Sequence, residues 1–430
     1  MGWPRGRYTG PPIFTYISHT PFAPSGTFLT PVTEPTAVTR RLFGTLCGLV
    51  FLVNFGRTAF APLVETFQNQ LGASPEAVGL MTTLVWVGTA LPRIPVGYLL
   101  THIPRHRVVL GTGALLTVTA AFTATASSIR TVQVGAFGIG LASGAYFVAA
   151  VPLVGELYPD AVGRAIGVHG TAAQLAAVVA APVVVTFVAL EDWRTTFWLL
   201  AALAAAVTVV LAYTARGVDA VVETDTDRDF LGALRHWRLI FVGMLMISTA
   251  GFVWQGLFNF YVSYLVDAKP FTTAQASTML TVVFAAGVPA FWLSGRLADR
   301  FPRVPYILVT LAVYVAALFA LTEVSGYAPV LVVTAVLGYT IHSLFPALDS
   351  WVLDTLPAAV RSSAYAVFSG VSLLLEASGS GVVGFLTGYG YAFDTVFRTF
   401  AFCLAGVVAV LTLLYVTGQI PGTTRRASAI

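Results

Sequence analysis

Four ionisable residues lie deep within long apolar segments of this 430-residue chain: Arg57, Arg93, Asp349 and Glu376. If such a segment crosses a bilayer, each charge at its centre costs about 2.5–3.5 kcal/mol on insertion scales. Charged residues that persist at such positions usually take part in function. These four residues are therefore the first candidates for a functional site.

The two arginines favour a site for an anion. A guanidinium stays charged at any working pH, and its planar fork binds a carboxylate or a phosphate through two parallel hydrogen bonds. Arg57 is predicted near the middle of its segment and Arg93 in the inner third of the next. The alternatives are structural: Arg57 could pair with Glu65 or Glu376, and Arg93 could act as a gate or pair with Glu376.

The two acidic residues favour proton coupling. A carboxyl group whose surroundings alternate between apolar side chains and a nearby arginine can bind and release a proton in step with a conformational cycle. Glu376 is the better candidate because it lies near the middle of its segment, whereas Asp349 lies near an inner end. The alternative for Glu376 is a permanently paired structural acid.

The composition indicates that the chain is embedded in lipid. The chain is 57% hydrophobic and 10% charged, with a mean hydropathy of +0.82, whereas soluble domains carry about 25% charged residues. Cys47 and Cys403 both lie in apolar runs, which excludes a disulfide framework and argues against a zinc site. The arginines are scattered rather than clustered, so nucleic-acid binding is not expected. No cofactor is predicted.

Apolar runs of about 20 residues, the length that crosses a bilayer as a helix, follow one another from Arg41 onward. Irregular backbone cannot face lipid, so these runs must be helical. The sequence predicts an all-α membrane protein with twelve spans at 42–66, 75–100, 107–127, 131–154, 165–189, 195–214, 239–266, 273–298, 304–323, 328–353, 362–387 and 395–417.

The segments outside the spans complete the predicted organisation. Residues 1–40, rich in Pro, Gly and Thr, are predicted to form a disordered cytoplasmic tail. The polar, acidic stretch 215–238 is predicted to be a cytoplasmic linker between six-helix bundles at 41–214 and 239–418, and 419–430 form a second cytoplasmic tail. Most basic residues fall on the side of the termini, and only four fall on the other side: Arg130, Arg194, Lys269 and Arg398. The positive-inside rule then predicts a multi-pass protein of the cytoplasmic membrane with both termini in the cytoplasm.

The two bundles are related by an internal repeat. A shift of 198 residues, the separation of Gly97 and Gly295, superimposes the loop after the second span of each bundle and the loop after the fourth. Parallel repeats of this kind form one known transporter architecture. The shift pairs Gly97 with Gly295, Arg105 with Arg303, Glu156 with Asp354, Gly140 with Gly338 and, with one residue deleted, Arg164 with Arg361.

These repeated loops resemble those of the major facilitator superfamily. "GRLADRFPR" (Gly295–Arg303) is similar to its G-x-x-x-D-R-x-G-R pattern, and "GYLLTHIPR" (Gly97–Arg105) is the first copy. "ELYPDAVGR" (Glu156–Arg164) is similar to its E-x-x-P-x-x-x-x-R pattern. The resemblance covers residues 41–420. It implies a prokaryotic twelve-span carrier with two pseudo-symmetric six-helix bundles that works as a monomer by alternating access.

The resemblance also implies a cytoplasmic gate. In that family, an acid at the position of Asp299 meets a helix N-terminus of the opposite half, where free N–H groups and the helix dipole favour a carboxylate. Glu156 is expected to pair with Arg105, and Asp354 with Arg303. The alternative is that these charges only anchor the loops on the inner side. The implied gate residues are Gly97, Arg105, Glu156, Arg164, Gly295, Asp299, Arg300, Arg303, Asp354 and Arg361.

The substrate path is the second implication of the resemblance. Spans 1, 4, 7 and 10 line the central cavity in that family, and spans 2 and 11 pack together. Gln255, Asn259 and His342 would then face the path with Arg57, and Trp254 would form an apolar wall. For His342 the alternative is a packing residue, although a histidine can titrate near neutrality.

The chain departs from the family pattern in ways that leave its substrate open. Thr101 and His102 replace the acid and base of the first loop, so a weaker contact is expected there. Span 5 lacks the glycine-rich signature of drug–proton antiporters. "LPRIPVG" (Leu91–Gly97) resembles the span-two arginine pattern of nitrate/nitrite porters, but Phe291 stands where their second arginine is expected.

The sequence therefore predicts a secondary active transporter of a small organic or inorganic anion, with or without proton coupling. An enzyme is not expected, because neither a nucleophile–base set nor clustered metal ligands are found. A retinal protein is excluded because the single lysine, Lys269, is predicted in an outer loop. The alternatives are a transporter-like receptor without flux and a carrier of neutral solutes or drugs.

Overall fold

The computed structural model describes residues 37–100, 102–158, 162–190, 192–217, 235–356 and 361–420. Within these ranges it contains twelve helices long and apolar enough to cross a membrane, so the predicted number of spans is confirmed. Most of both predicted tails and of the linker lies outside the described residues. Residues 37–40, assigned to the tail by sequence, belong to the first helix.

The helices keep the predicted order, and the spans are numbered accordingly. Their bounds are Ala37–Thr58 and Val64–Leu71 (span 1), Pro75–Ala90 and Arg93–Leu99 (span 2), Arg105–Ala124 (span 3), Ile129–Leu157 (span 4), Val162–Leu190 (span 5), Trp193–Thr214 (span 6), Trp237–Asn259 and Tyr261–Ala268 (span 7), Thr273–Arg300 (span 8), Arg303–Glu323 (span 9), Tyr327–Thr355 (span 10), Arg361–Gly388 (span 11) and Phe393–Val416 (span 12).

Local sequence sets where several helices begin and end. The Ser74 hydroxyl accepts a hydrogen bond from the backbone N–H of Ala77, and Pro75 takes the first helical position, as expected for a capped N-terminus. Thr272 and Gln275 form a reciprocal capping box at the start of span 8. Gly72, with φ of 61°, ends span 1 in the left-handed conformation that glycine adopts most readily.

Spans 1 and 7, the first of each half, are both interrupted, whereas the sequence predicted continuous helices at 42–66 and 239–266. Span 1 passes through a short 3-10 turn over Ala61–Leu63, and span 7 breaks at Phe260. The turn of span 1 lies against both helices of span 7. Interrupted helices in transporters often border the binding site, so the residues beside these breaks are candidates for a binding site.

Equivalent contacts in the two halves confirm the repeat. Gly140 of span 4 lies so close to span 2 that a Cβ atom there would clash with the carbonyl oxygen of Val85. Gly338 of span 10 has the same relation to the carbonyl oxygen of Val283 in span 8. Each residue of the second pair follows its counterpart by 198 positions, so the shift relates contacts as well as residues.

Because consecutive spans alternate in direction, Arg105 and Arg303, which begin spans 3 and 9, lie at one end of the bundle. We call this the arginine end. The other end, called the opposite end, carries Pro75 and Thr273, which begin spans 2 and 8. These names do not depend on which end faces the cytoplasm.

The two halves pack closely at the opposite end. Span 2 lies against span 11, as the family resemblance implied, and a Cβ atom on Gly79 would lie 2.8 Å from the carbonyl oxygen of Ser380. Glu65 of span 1 accepts a hydrogen bond of 3.3 Å from the hydroxyl of Thr273 in span 8. The halves are therefore in direct contact on this side of the central region.

Candidate functional site

Arg57 lies near the end of the first helix of span 1, directly before the interruption. Its guanidinium donates a hydrogen bond to the side-chain oxygen of Asn54, one turn earlier. The amide nitrogen of Asn54 in turn donates to the carbonyl oxygen of Ala173 in span 5. Asn54 therefore orients the guanidinium and uses both ends of its own amide to do so.

Two aromatic rings flank the Arg57 guanidinium. Its Cζ atom lies 4.8 Å from the ring centroid of Trp86 in span 2 and 5.1 Å from that of Phe147 in span 4. Both contacts are in the range of cation–π attraction. All three side chains are half-buried, so part of this group remains accessible to a small molecule.

The same group contains two buried N–H donors that have no hydrogen-bond partner among the described residues, Nε of Arg57 and Nε1 of Trp86. Among the described residues, every ion pair within 4 Å involves a basic residue other than Arg57. Of the structural partners predicted as alternatives, Glu65 instead accepts from Thr273. The positive charge of Arg57 is therefore not matched by a direct ion pair within the described residues.

A second charged group lies between the halves, nearer the arginine end. Arg93 begins the second helix of span 2 and interacts electrostatically with Asp349 of span 10 and Glu376 of span 11. The hydroxyl of Tyr365 donates to the Asp349 carboxylate. Arg57 is also within electrostatic range of Arg93. The sequence-predicted set Arg57, Arg93, Asp349 and Glu376 is thus brought into one region.

Glu376 is enclosed by spans 7 and 11 and is 5% exposed. Its carboxylate lies over Gly251 of span 7, where no side chain fills the space. Ser372, one turn earlier on span 11, and Ser248, one turn before Gly251, are buried, and neither hydroxyl has a partner among the described residues. The carboxyl group is therefore surrounded by close packing with little hydrogen-bonding support.

Trp254 and His342 belong to an aromatic cluster in the second half. The Trp254 ring stacks on Phe258 at 5.2 Å and meets His342 edge-on at 5.5 Å. Phe258 reaches the first half, with its centroid 6.2 Å from that of Trp86. Trp254, Phe258 and His342 are all buried. In this conformation Trp254 and His342 therefore pack against aromatic neighbours, which is the alternative stated for His342.

Gln255 and Asn259 form hydrogen bonds with each other and with span 11. The Asn259 amide donates to the backbone oxygen of Gln255 at 2.8 Å and to the Ser380 hydroxyl of span 11 at 2.9 Å. Ser380 in turn donates to the same Gln255 oxygen at 2.8 Å. These residues join span 7 to span 11, and their predicted role in substrate binding gains no support from this placement.

The site differs between the two repeated halves. The positions 198 residues after Arg57, Trp86 and Phe147 hold Gln255, Phe284 and Phe345. The aromatic character is thus kept in the second half, but the guanidinium and the indole N–H are not. The two arginines lie in the first half and the two carboxylates in the second.

At the arginine end, both predicted ion pairs are present. Arg105 and Glu156 join spans 3 and 4 at 2.7 Å, and Arg303 and Asp354 make the equivalent pair in the second half. Of the other predicted gate residues, Gly97 is buried and Arg164 is exposed. Thr101 and the side chains at the remaining predicted gate positions lie outside the described set, namely Gly295, Asp299, Arg300 and Arg361. A gating role for the loops stays a prediction.

Asn54, Trp86 and Phe147 are site neighbours that the sequence did not assign. Asn54 lies one helical turn before Arg57 in the sequence, and residues at that spacing share a helix face, so the spacing places it beside Arg57 without giving it a role. Phe147 carries no comparable local signal. Among the described residues, no group of three or more His, Cys, Asp or Glu side chains could hold a metal ion.

Comparisons with known proteins agree with the fold. A family model described as "Major Facilitator Superfamily" matches residues 46–371. The structure is similar to a bacterial homolog of the human lysosomal transporter Spinster in an inward-facing, unoccupied conformation, with 14% identity, a TM-score of 0.70, and coverage of 90% of this chain and 96% of that one. The occupied form of that homolog gives 16% identity, a TM-score of 0.67 and coverage of 88% and 95%. A POT family transporter in complex with a thioalcohol-conjugated peptide gives 13% identity, a TM-score of 0.74, and coverage of 87% of this chain and 96% of that one. At these identities the structural likeness shows the fold alone.

Proposed function

Because the chain belongs to the Major Facilitator Superfamily and is therefore a multi-pass membrane transporter, we propose that the solute it carries is a small anion bound by Arg57. The observation that carries the proposal is the state of the Arg57 guanidinium. It is half-buried among aromatic rings, one of its N–H groups is unpaired, and no described carboxylate contacts it within 4 Å.

The Arg57 guanidinium lacks a direct ionic partner that would offset the cost of its burial. A buried charge is expensive unless it is paired and hydrogen-bonded. The rings of Trp86 and Phe147 compensate only part of the cost, since a cation–π contact contributes about 0.5–2 kcal/mol. An anionic solute would supply the missing partner. A neutral solute would leave the guanidinium without a direct ionic partner, which is why we favour an anion over neutral solutes and drugs.

We further propose that the anion is carried together with a proton. In the proposed cycle, Asp349 and Glu376 are both ionised before the anion binds, so that their charges offset those of Arg57 and Arg93 over the whole region, although no described carboxylate contacts Arg57 within 4 Å. A bound anion adds one negative charge to this region, and protonation of Glu376 would restore the balance. Glu376 is the better acceptor because it is buried, whereas Asp349 is stabilised by the Tyr365 hydroxyl.

The proposed setting is the cytoplasmic membrane, with the arginine end and both termini on the cytoplasmic side. The distribution of basic residues supports this orientation through the positive-inside rule. The close contact of the halves at the opposite end then corresponds to an inward-facing state. We propose that the carrier works as a monomer, since one chain contains both halves of the site.

The proposal is tested by flux into proteoliposomes. Purified protein is reconstituted, and uptake of labelled nitrate, phosphate, acetate and benzoate is followed with and without an inward proton gradient. We expect at least one anion to be taken up and its uptake to be abolished by Arg57→Gln. Arg130→Gln, which neutralises an exposed arginine at the opposite end, is the matched control and should transport normally.

Two results would count against the proposal. Uptake that survives Arg57→Gln would remove the anion role of that residue. Binding of an anion without any flux, whether or not the proton gradient is present, would favour a transporter-like receptor instead.

A further inference from the structure

We infer that the site takes a monocarboxylate with a flat apolar body, and that the indole N–H of Trp86 binds the carboxylate together with Arg57. This inference rests on the proposed function, because it names the class of anion that the same site would take. It also makes Trp86 a specificity-determining residue.

Two free N–H donors belong to neighbouring side chains of the site. Nε of Arg57 and Nε1 of Trp86 are both buried and both lack a hydrogen-bond partner among the described residues. The Arg57 Cζ atom lies 4.8 Å from the Trp86 ring centroid, so the two donors belong to neighbouring groups. Buried N–H donors are costly when unpaired. A carboxylate has two oxygens on one side of a single carbon, and these can accept from both donors at once.

The remaining sides of the Arg57 guanidinium face an aromatic ring and an amide. The Phe147 ring covers another side of the guanidinium, at 5.1 Å. The Asn54 amide is already engaged, with its oxygen accepting from Arg57 and one N–H donating to Ala173. Nitrate and phosphate carry oxygens in three or four directions, and some of these would face aromatic rings without a donor. Such unpaired polar atoms oppose binding, whereas the apolar side of an organic carboxylate fits there.

The aromatic rings beside Arg57 suit a solute with a flat apolar body. The half-buried rings of Trp86 and Phe147 beside Arg57 are the aromatic surface that a solute can contact. Phe258, whose ring centroid lies 6.2 Å from that of Trp86, is buried and supports the Trp86 ring from the second half. Aromatic rings associate favourably with other flat rings in offset or edge-to-face arrangements. A planar apolar group attached to the carboxylate would therefore find matching surface beside Arg57.

The solute is limited to one carboxylate. The second half has no equivalent pair of donors, since Gln255 and Phe284 occupy the positions that correspond to Arg57 and Trp86. The other arginine of the region, Arg93, already interacts with Asp349 and Glu376. A second carboxylate on the solute would have no comparable site.

The test uses labelled benzoate as the probe, with acetate, nitrate and phosphate as competitors, in proteoliposomes. Trp86→Phe keeps an aromatic ring but removes the N–H donor. We expect it to raise the KM for benzoate about tenfold, the effect of losing one hydrogen bond to a charged group, with the maximal rate retained. Trp198→Phe is the matched control, because this indole is half exposed on span 6 away from the site, and its KM should equal that of the wild type.

The wild-type protein provides a second measurement that needs no variant. Benzoate should inhibit uptake of labelled acetate more strongly than nitrate or phosphate does. A preference for nitrate or phosphate that is abolished by Arg57→Gln would overturn this inference and leave the proposed function intact. An unchanged KM in Trp86→Phe would overturn the role of the indole. Uptake of none of the four anions would count against both.

Discussion

Gly251 leaves open the space that the carboxyl group of Glu376 occupies: a Cβ atom on Gly251 would lie 2.7 Å from Oε2 of Glu376. Spans 7 and 11 therefore hold the buried carboxylate of Glu376 against bare backbone. The position of Glu376 depends on a residue that has no side chain, and this dependence can be tested separately from the charge.

Gly251→Ala is expected to displace the Glu376 side chain and to weaken proton-driven uptake. The added methyl group overpacks a close contact, which typically costs about 1–3 kcal/mol, so the melting temperature should also fall. Gly406→Ala is the control, since Gly406 is helical and no atom lies within 4 Å of its Cβ position. Normal proton-driven uptake in Gly251→Ala would show that the placement of Glu376 is unimportant.

Glu376→Gln tests the charge rather than the position. It keeps the size of the side chain but can neither release nor bind a proton, so the stimulation of uptake by an inward proton gradient should disappear. Exchange of internal for external anion, which needs no net proton movement, should continue. Glu323→Gln at the opposite end, where Glu323 pairs with Arg398, should keep the stimulation. Full stimulation in Glu376→Gln would assign the proton to another group.

The Arg105–Glu156 pair at the arginine end is expected to contribute little to stability. Both side chains are partly exposed, at 17% and 34%, and such pairs contribute about 0.2–1 kcal/mol. A double-mutant cycle with Arg105→Gln and Glu156→Gln, followed by thermal unfolding, measures the coupling. A coupling energy near zero would leave the pair without a stabilising role.

Lys269 joins three spans at the opposite end, and its partner Asp394 is expected to matter for stability. Lys269 is 8% exposed and donates to the carbonyl oxygen of Thr322 at 3.1 Å, with its Nζ atom 3.8 Å from Asp394. Tyr264 donates to the same carboxylate at 2.7 Å. Asp394→Asn should destabilise the protein by about 1.5–3 kcal/mol, the range for hydrogen bonds to charged groups. Asp192→Asn, at a more exposed pair with Arg194, should have a smaller effect on the melting temperature.

Hydropathy and the repeat predicted the fold because both are properties of long stretches of chain. Twelve apolar runs are visible without any contact, and the shift that relates Gly97 to Gly295 also relates the Gly140–Val85 and Gly338–Val283 contacts. The interruption at Phe260 was missed because its flanks are as apolar as a continuous helix. Lys269, predicted in an outer loop, is buried because a polar network at the end of the bundle encloses it.

The candidate site was predicted only in part, because polarity does not show what a side chain faces. Arg57 and Glu376 were identified from the cost of burying charge, and the structure places them in one region with Arg93 and Asp349. Gln255 and Asn259 have the right polarity but are bonded to span 11. Trp86 and Phe147 look like ordinary apolar residues of a span, and only their positions beside Arg57 give them a role.

Ligand-dependent thermal unfolding of the purified protein tests the anion site at Arg57 most directly, since it needs neither flux nor a gradient. Wild type and Arg57→Gln are compared at constant ionic strength against benzoate, acetate, nitrate, phosphate and a neutral sugar. Saturation to 100 times Kd stabilises a protein by about 2.7 kcal/mol, so at least one anion should raise the melting temperature of the wild type and leave Arg57→Gln unchanged. Equal stabilisation of both proteins by the same anion, or stabilisation of the wild type by the sugar alone, would contradict an anion site at Arg57.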